Sequence, residues 1–119
     1  MKVHTRQVGE IMVAELTGEI DTIDSEGFAD SLAVIMLQKP KAVVLDFSQV
    51  SYIASMGVSI LVKLARDARA ARTAVIIANV SDMVMTVLDT VHMGSIIPIE
   101  SSVDKALSRL GAKAAASHA

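Results

Sequence analysis

The stretch Val43-Val44-Leu45-Asp46-Phe47-Ser48-Gln49-Val50-Ser51-Tyr52-Ile53-Ala54-Ser55-Met56-Gly57-Val58 decides how this chain folds. It begins within Ala42-Val43-Val44-Leu45, a continuous, mostly β-branched apolar run. Such a run has no polar face to offer water, so it predicts a strand covered on both sides. The run stops at Asp46. From Met56 the apolar period changes: Val58, Leu61, Val62 and Ala65 share one face of a helix running to about Ala71. Residues 51–55 read as the loop that leaves the carboxyl end of the strand and enters the helix. Unpaired backbone N–H groups and the positive end of the helix dipole gather at such a place.

Outward from this centre the same alternation continues. Residues 3–8 and 11–16 are β-prone runs separated by Gly9-Glu10, a hairpin signal, and Thr17-Gly18 breaks the pattern after them. Phe28, Leu32, Ile35 and Met36 make one helical face, with Asp24 or Ser25 as cap, Glu26 in the first turn and Lys39-Pro40 as stop. Residues 74–78 (Ala-Val-Ile-Ile-Ala) form a second doubly covered strand. Ser81 caps a third helix with Val84, Val87, Leu88 and Val91 inward. Residues 96–99 form a short strand, and Pro98, which lacks an N–H for a ladder, assigns it to a sheet edge. Ser101-Ser102-Val103-Asp104 opens a fourth helix in the manner of a capping box, with Val103, Ala106, Leu107 and Leu110 inward. The predicted class is α/β, in the order ββαβαβαβα. It has about five strands in a mixed, mostly parallel sheet, about four helices and right-handed crossovers. Residues 1–110 form one domain, and residues 111–119, small and polar, read as a flexible tail.

Composition narrows the function. The chain has 119 residues, 52% hydrophobic and 20% charged, which suits one folded domain with a real core. It has no cysteine, so disulfides, zinc–thiolate sites and a Cys nucleophile are excluded. A net charge of −2 and three aromatic residues, Phe28, Phe47 and Tyr52, argue against direct nucleic-acid binding, which needs a basic face or a stacking platform. Apolar runs such as residues 33–37 and 74–78 fall far short of the about 20 residues of a membrane span. Residues 1–6 contain no apolar leader core, so a cytoplasmic location is expected. The mean hydropathy of +0.51 is high for a small domain. It reflects either strands buried on both faces or an apolar surface kept for a partner.

The residues that carry chemistry are few. Glu19, Asp21, Asp24 and Glu26 cluster near the first helix, where carboxylates serve as caps and solvated charge or could hold a cation. His4, His92 and His118 lack metal-ligand spacing. A Ser55–His92 pair lacks a nucleophile-elbow motif, and no phosphate-cradling glycine loop is present, so neither an enzyme nor a cofactor site is expected. Lys63, Arg66, Arg69 and Arg72 recur every third residue: a solvated helix face, or a docking stripe for an acidic partner surface.

The central stretch resembles the STAS domain family, in particular the bacterial anti-sigma factor antagonists. Their pattern is an apolar strand, then Asp-Leu-Ser-x-Val-x-Phe-Ile-Asp-Ser-Ser-Gly, then an apolar helix. Gly18-Glu19-Ile20-Asp21 is similar to the family's Gly-x-Leu-Asp, and the element order matches over about residues 3–110. The resemblance implies a non-enzymatic regulator that binds a kinase-like anti-sigma factor and so controls sigma-factor-dependent transcription. It places partner contacts at Asp21, Ser51, Tyr52, Ala54, Ser55, Met56, Gly57, Ser59, Lys63 and Arg66. The family's Asp-Ser-Ser-Gly is here Ala54-Ser55-Met56-Gly57, and the usual phosphoacceptor is Met56, whose thioether cannot take a phosphoryl group. Met56 either fills the core at the helix start or makes a flexible apolar contact. Ser55, the nearest hydroxyl, is either an N-cap or a displaced phosphorylation site. An arginine at Gly57 is expected to block the partner without unfolding the domain. A second reading is an accessory STAS domain without a switch, in a signalling assembly or beside a transporter.

Overall fold

The computed structural model describes residues 1–23 and 25–111. The elements are β1 (Lys2–Val8), β2 (Ile11–Ile20), α1 (Ser25–Leu37), β3 (Ala42–Ile53), α2 (Ser55–Ala70), β4 (Ala74–Ala78), α3 (Asp82–Thr90), a 3-10 turn (Met93–Ser95), β5 (Ile99–Glu100) and α4 (Val103–Arg109). They form a single α/β domain with one mixed sheet in the order β1-β2-β3-β4-β5. β1 and β2 are an antiparallel hairpin; every later pairing is parallel. Val8 pairs with Ile11 across the two-residue loop, where Gly9 takes φ 61. Glycine at the first loop position with positive φ is the type II′ arrangement, which matches the twist of the strands.

Sequential strand order decides where the helices lie. α1, α2 and α3 each cross over in the same direction, and right-handed crossovers then put all three on one face. Phe28, Leu32 and Ile35 of α1, Leu61, Leu64 and Ala68 of α2, and Val84 and Leu88 of α3 pack there on Leu16, Leu45, Phe47 and Ile77. α4 follows the last strand, has no crossover to make, and covers the other face with Val103, Ala106 and Leu107 on Ile11, Val13, Val44, Ile76 and Ala78. The apolar run 42–45 is thereby sandwiched, as its lack of alternation requires.

β3 differs from the expectation. It continues past Asp46 to Ile53, so residues 51–53 are strand rather than loop. Its outer half pairs with the outer half of β2, which itself continues through Thr17-Gly18. The register slips twice: Glu15 and Thr17 face Asp46 and Gln49, and Gly18 and Glu19 face Val50 and Tyr52. Each slip inserts one extra β3 residue, a β-bulge. The inward positions therefore fall at Phe47, Val50 and Ile53, three apart instead of two. That spacing hid the strand from an alternation test.

Smaller corrections have local causes. The strand expected at 96–99 is only Ile99–Glu100, because the 3-10 turn occupies the chain before it and Ile97 is drawn into the core. β5 is nonetheless an edge strand, and the Pro98 carbonyl accepts from Ile77 N at 2.9 Å. α2 buries Gly57, Leu61, Leu64 and Ala68, and the other members of the expected face, Val58, Val62 and Ala65, are partly buried against the same core. Val91 caps α3 and is exposed. Ser81 and Ser102 are N-caps, accepting from Val84 N at 3.4 Å and Lys105 N at 3.0 Å. With Lys105 three residues after Ser102, the return bond of a capping box has no acceptor. Ser25 lies within α1 and donates to the Thr22 carbonyl at 2.9 Å; the alternative cap, Asp24, and residues 112–119 of the expected tail lie outside the described residues.

Candidate protein-binding site at the start of helix α2

The ends of β2 and β3 meet the start of α2 at one point. Ile20 pairs with Ile53, and the next amide, Ala54 N, donates to the Ile20 carbonyl at 2.7 Å. Ala54 is the only residue between β3 and α2. It takes the N-cap position with φ −90 and ψ 168, and its methyl group makes no cap hydrogen bond. The first helical bond runs from Val58 N to the Ala54 carbonyl at 3.1 Å. The amides of Ser55, Met56 and Gly57 thus begin the helix without intrahelical acceptors. The expectation that Ser55 caps α2 is overturned: with the strand running to Ile53, Ser55 is already the first helical residue, and its side chain is exposed.

Met56 is 50% exposed, so it does not fill the core. Gly57 is buried, and a Cβ there would lie 2.5 Å from Ile20 Cγ2 and 2.9 Å from Ile53 Cγ1. The helix start is seated directly on these two isoleucines. Gly57 therefore acts by letting α2 approach, and an arginine there would displace the helix instead of merely blocking a partner. Tyr52, at 45% exposure, and Ser51 lie on the last turn of strand before this point. Asp21 follows directly on Ile20, half-buried.

Asp21, Ser51, Tyr52, Ala54, Ser55 and Met56 are thus brought to one end of the sheet. Ser59, Lys63 and Arg66 continue along the exposed side of α2. Lys63 lies about 10 Å from Met56 along the helix axis at 1.5 Å per residue. Lys63 pairs with Asp67 at 3.5 Å, both exposed, as in a solvated helix face. Arg69 closes the helix, and Arg72 lies past it with φ 59, off the stripe.

Two further residues are not among the expected site residues. Ile23, between β2 and α1, is 88% exposed. Its clue is an isoleucine set in Asp21-Thr22-Ile23-Asp24-Ser25, a polar turn that has no core to bury it. Asp46 is buried, accepting from Ser48 N at 2.9 Å and Asn79 Nδ2 at 3.5 Å. It ties β3 to the turn after β4 at the point where their pairing ends.

Ser55 and His92 are not brought together. α3 runs back along the sheet, so His92, just past its end, lies at the opposite end from Ser55. Among the described residues no three His, Asp or Glu side chains form a metal-binding group, and no helix is long and apolar enough to cross a membrane. What the site offers is surface: exposed Ile23, Tyr52 and Met56 near a helix start whose first amides have no intrahelical acceptor.

Solved structures share this architecture. A Thermotoga maritima protein described as an anti-sigma factor antagonist superposes with a TM-score of 0.83 at 16% identity, covering 90% of this chain and 92% of that one. The anti-sigma factor antagonist SpoIIAA, in its unphosphorylated form, does so with a TM-score of 0.77 at 21% identity over 92% and 96% of the two chains. A sulfate transporter family protein from Wolinella succinogenes reaches 0.74 at 21% identity over 92% and 89%. At these identities the likeness is one of fold. The STAS domain family model matches residues 2–106, nearly the whole chain, and together with this architecture it establishes that the chain belongs to the STAS domain family.

Proposed function

We propose that the chain is a non-catalytic regulatory module of the anti-sigma factor antagonist kind. It docks a kinase-like anti-sigma factor on the surface formed by Asp21, Ile23, Tyr52, Ser55, Met56 and the exposed side of α2, and so controls sigma-factor-dependent transcription. The carrying observation is that Ile23, Tyr52 and Met56, each within three residues of the paired strand ends Ile20 and Ile53, are all exposed. Apolar side chains exposed together cost water contact and suit a partner surface. SpoIIAA, which shares the fold, has been solved in both unphosphorylated and phosphorylated forms, which supports phosphorylation as a means of control in such proteins. Here Met56 stands at the acceptor position, so docking is not switched there. Affinity capture from cell extract tests this. Wild-type protein is expected to retain an anti-sigma factor, and Met56→Asp, which adds a charge to an apolar contact, to lose it.

The second reading, an accessory domain in a transporter or signalling assembly, is favoured by the Wolinella succinogenes likeness and by the absent acceptor. Capture of a transporter or scaffold protein in place of an anti-sigma factor would establish it.

A further inference from the structure

The free edge of the sheet has features that the α2 surface does not account for. β1 pairs only with β2, and its outer side meets no other described element. Its seven residues contain no proline, and the two bulges of the sheet lie between β2 and β3. Because Val8 and Ile11 close a two-residue hairpin, Lys2, His4, Arg6 and Val8 bond to β2. The N–H and C=O groups of Val3, Thr5 and Gln7 then point away from the sheet.

The two faces of this edge are chemically different. Val3 and Thr5 lie toward α1 and line a cleft of about 330 Å³ with Val34 and Ile35, with Asp30 and Gln38 also on its wall. Val34 is 56% exposed. Lys2, His4 and Arg6 alternate onto the other face, opposite Thr17, Glu15 and Val13. Glu15 opposes His4, and among the described residues neither Lys2 nor Arg6 forms an ion pair with a carboxylate.

We propose that the β1 edge receives an extended segment of an acidic partner as a sixth strand. The segment alternates apolar and acidic side chains. Its backbone bonds Val3, Thr5 and Gln7; its apolar side chains enter the cleft beside Val34; its carboxylates meet Lys2 and Arg6. Strand addition of this kind takes affinity from main-chain bonds and specificity from alternate side chains. A second copy of this chain is disfavoured by charge. Antiparallel self-pairing centred on His4, which bonds Val3 of one copy to Thr5 of the other, would set Lys2 against Arg6, like beside like.

The test uses the full chain and two synthetic peptides of seven residues, one alternating Glu and Val, the other Lys and Val. The acidic peptide is expected to bind at least tenfold tighter, with tightness falling as salt rises, and to slow hydrogen exchange at the Val3, Thr5 and Gln7 amides. Lys2→Glu with Arg6→Glu should reverse the preference between peptides. Thr5→Pro, which removes an outward N–H that β2 does not use, should abolish binding with the circular dichroism spectrum unchanged. Equal binding of both peptides, or binding without protection of those three amides, overturns the proposal. So does concentration-dependent dimerisation that protects the same amides without peptide, which would identify the occupant as a second copy.

Discussion

At Gly57 an added Cβ would meet Ile20 Cγ2 at 2.5 Å and Ile53 Cγ1 at 2.9 Å. Alanine in a helix is worth about 1 kcal/mol over glycine, but overpacking a core costs about 1–3 kcal/mol. Ile20 and Ile53 are both buried and β-branched, so neither has another rotamer at hand. Overpacking is therefore expected to win, and Gly57→Ala should lower Tm by about 5 °C. A Tm at or above the wild-type value, read by calorimetry, would show that the isoleucines yield. Ala54 presents the opposite case. Its extended backbone suits an N-cap, yet its side chain has no acceptor. Ala54→Asp should accept from the Met56 or Gly57 amide and add about 0.5–2 kcal/mol. Urea unfolding checks this: the midpoint should rise at constant m-value.

The outer half of β3 governs where α2 begins. Because two bulges set its inward residues at Phe47, Val50 and Ile53, Gln49 and Ser51 face water. Gln49→Lys is accordingly expected to change stability by no more than about 0.5 kcal/mol, while Val50→Asp buries an unpaired carboxylate and should unfold the domain. Chemical denaturation of both variants separates the bulged strand from a regularly alternating one, which would reverse the two results. On α2 itself, Lys63 and Arg66 lie on the exposed side beyond Met56. Lys63→Glu with Arg66→Glu should weaken the captured anti-sigma factor in proportion to falling salt, since exposed charges act through a screened field. Affinity that is the same at low and high salt, before and after substitution, would leave these residues as solvated charge.

For the whole molecule the question is whether the surface at the start of α2 can be switched. Met56 offers no hydroxyl, and Ser55 points from a different position on the first helical turn. Incubation of the purified chain with its captured kinase-like partner and ATP is expected to leave the intact mass unchanged. Met56→Ser should then gain one phosphoryl group. A gain in the wild type that disappears in Ser55→Ala would place the switch at Ser55 and overturn a constitutively competent domain. Without a switch on this chain, control passes to its abundance or to the partner.

The sequence by itself determined the element types, their order and the parallel sheet. Apolar runs 42–45 and 74–78 have no polar alternation, and only cover from both sides satisfies such strands. The helical faces through Phe28, Leu61, Val84 and Val103 repeat at helical spacing, and Ser81 caps its helix through contacts within one turn. The tertiary structure decided what depends on pairing between distant segments. The two register slips against β2 extended β3 through the apparent loop and shifted Ser55 from cap to first turn. The need of α2 to rest on Ile20 and Ile53 made Gly57 a packing residue. Ile23, between β2 and α1, was left in water at 88% exposure. Local propensity is written within a few residues, whereas register and approach are set by side chains thirty or more positions apart, as between Ile20 and Ile53.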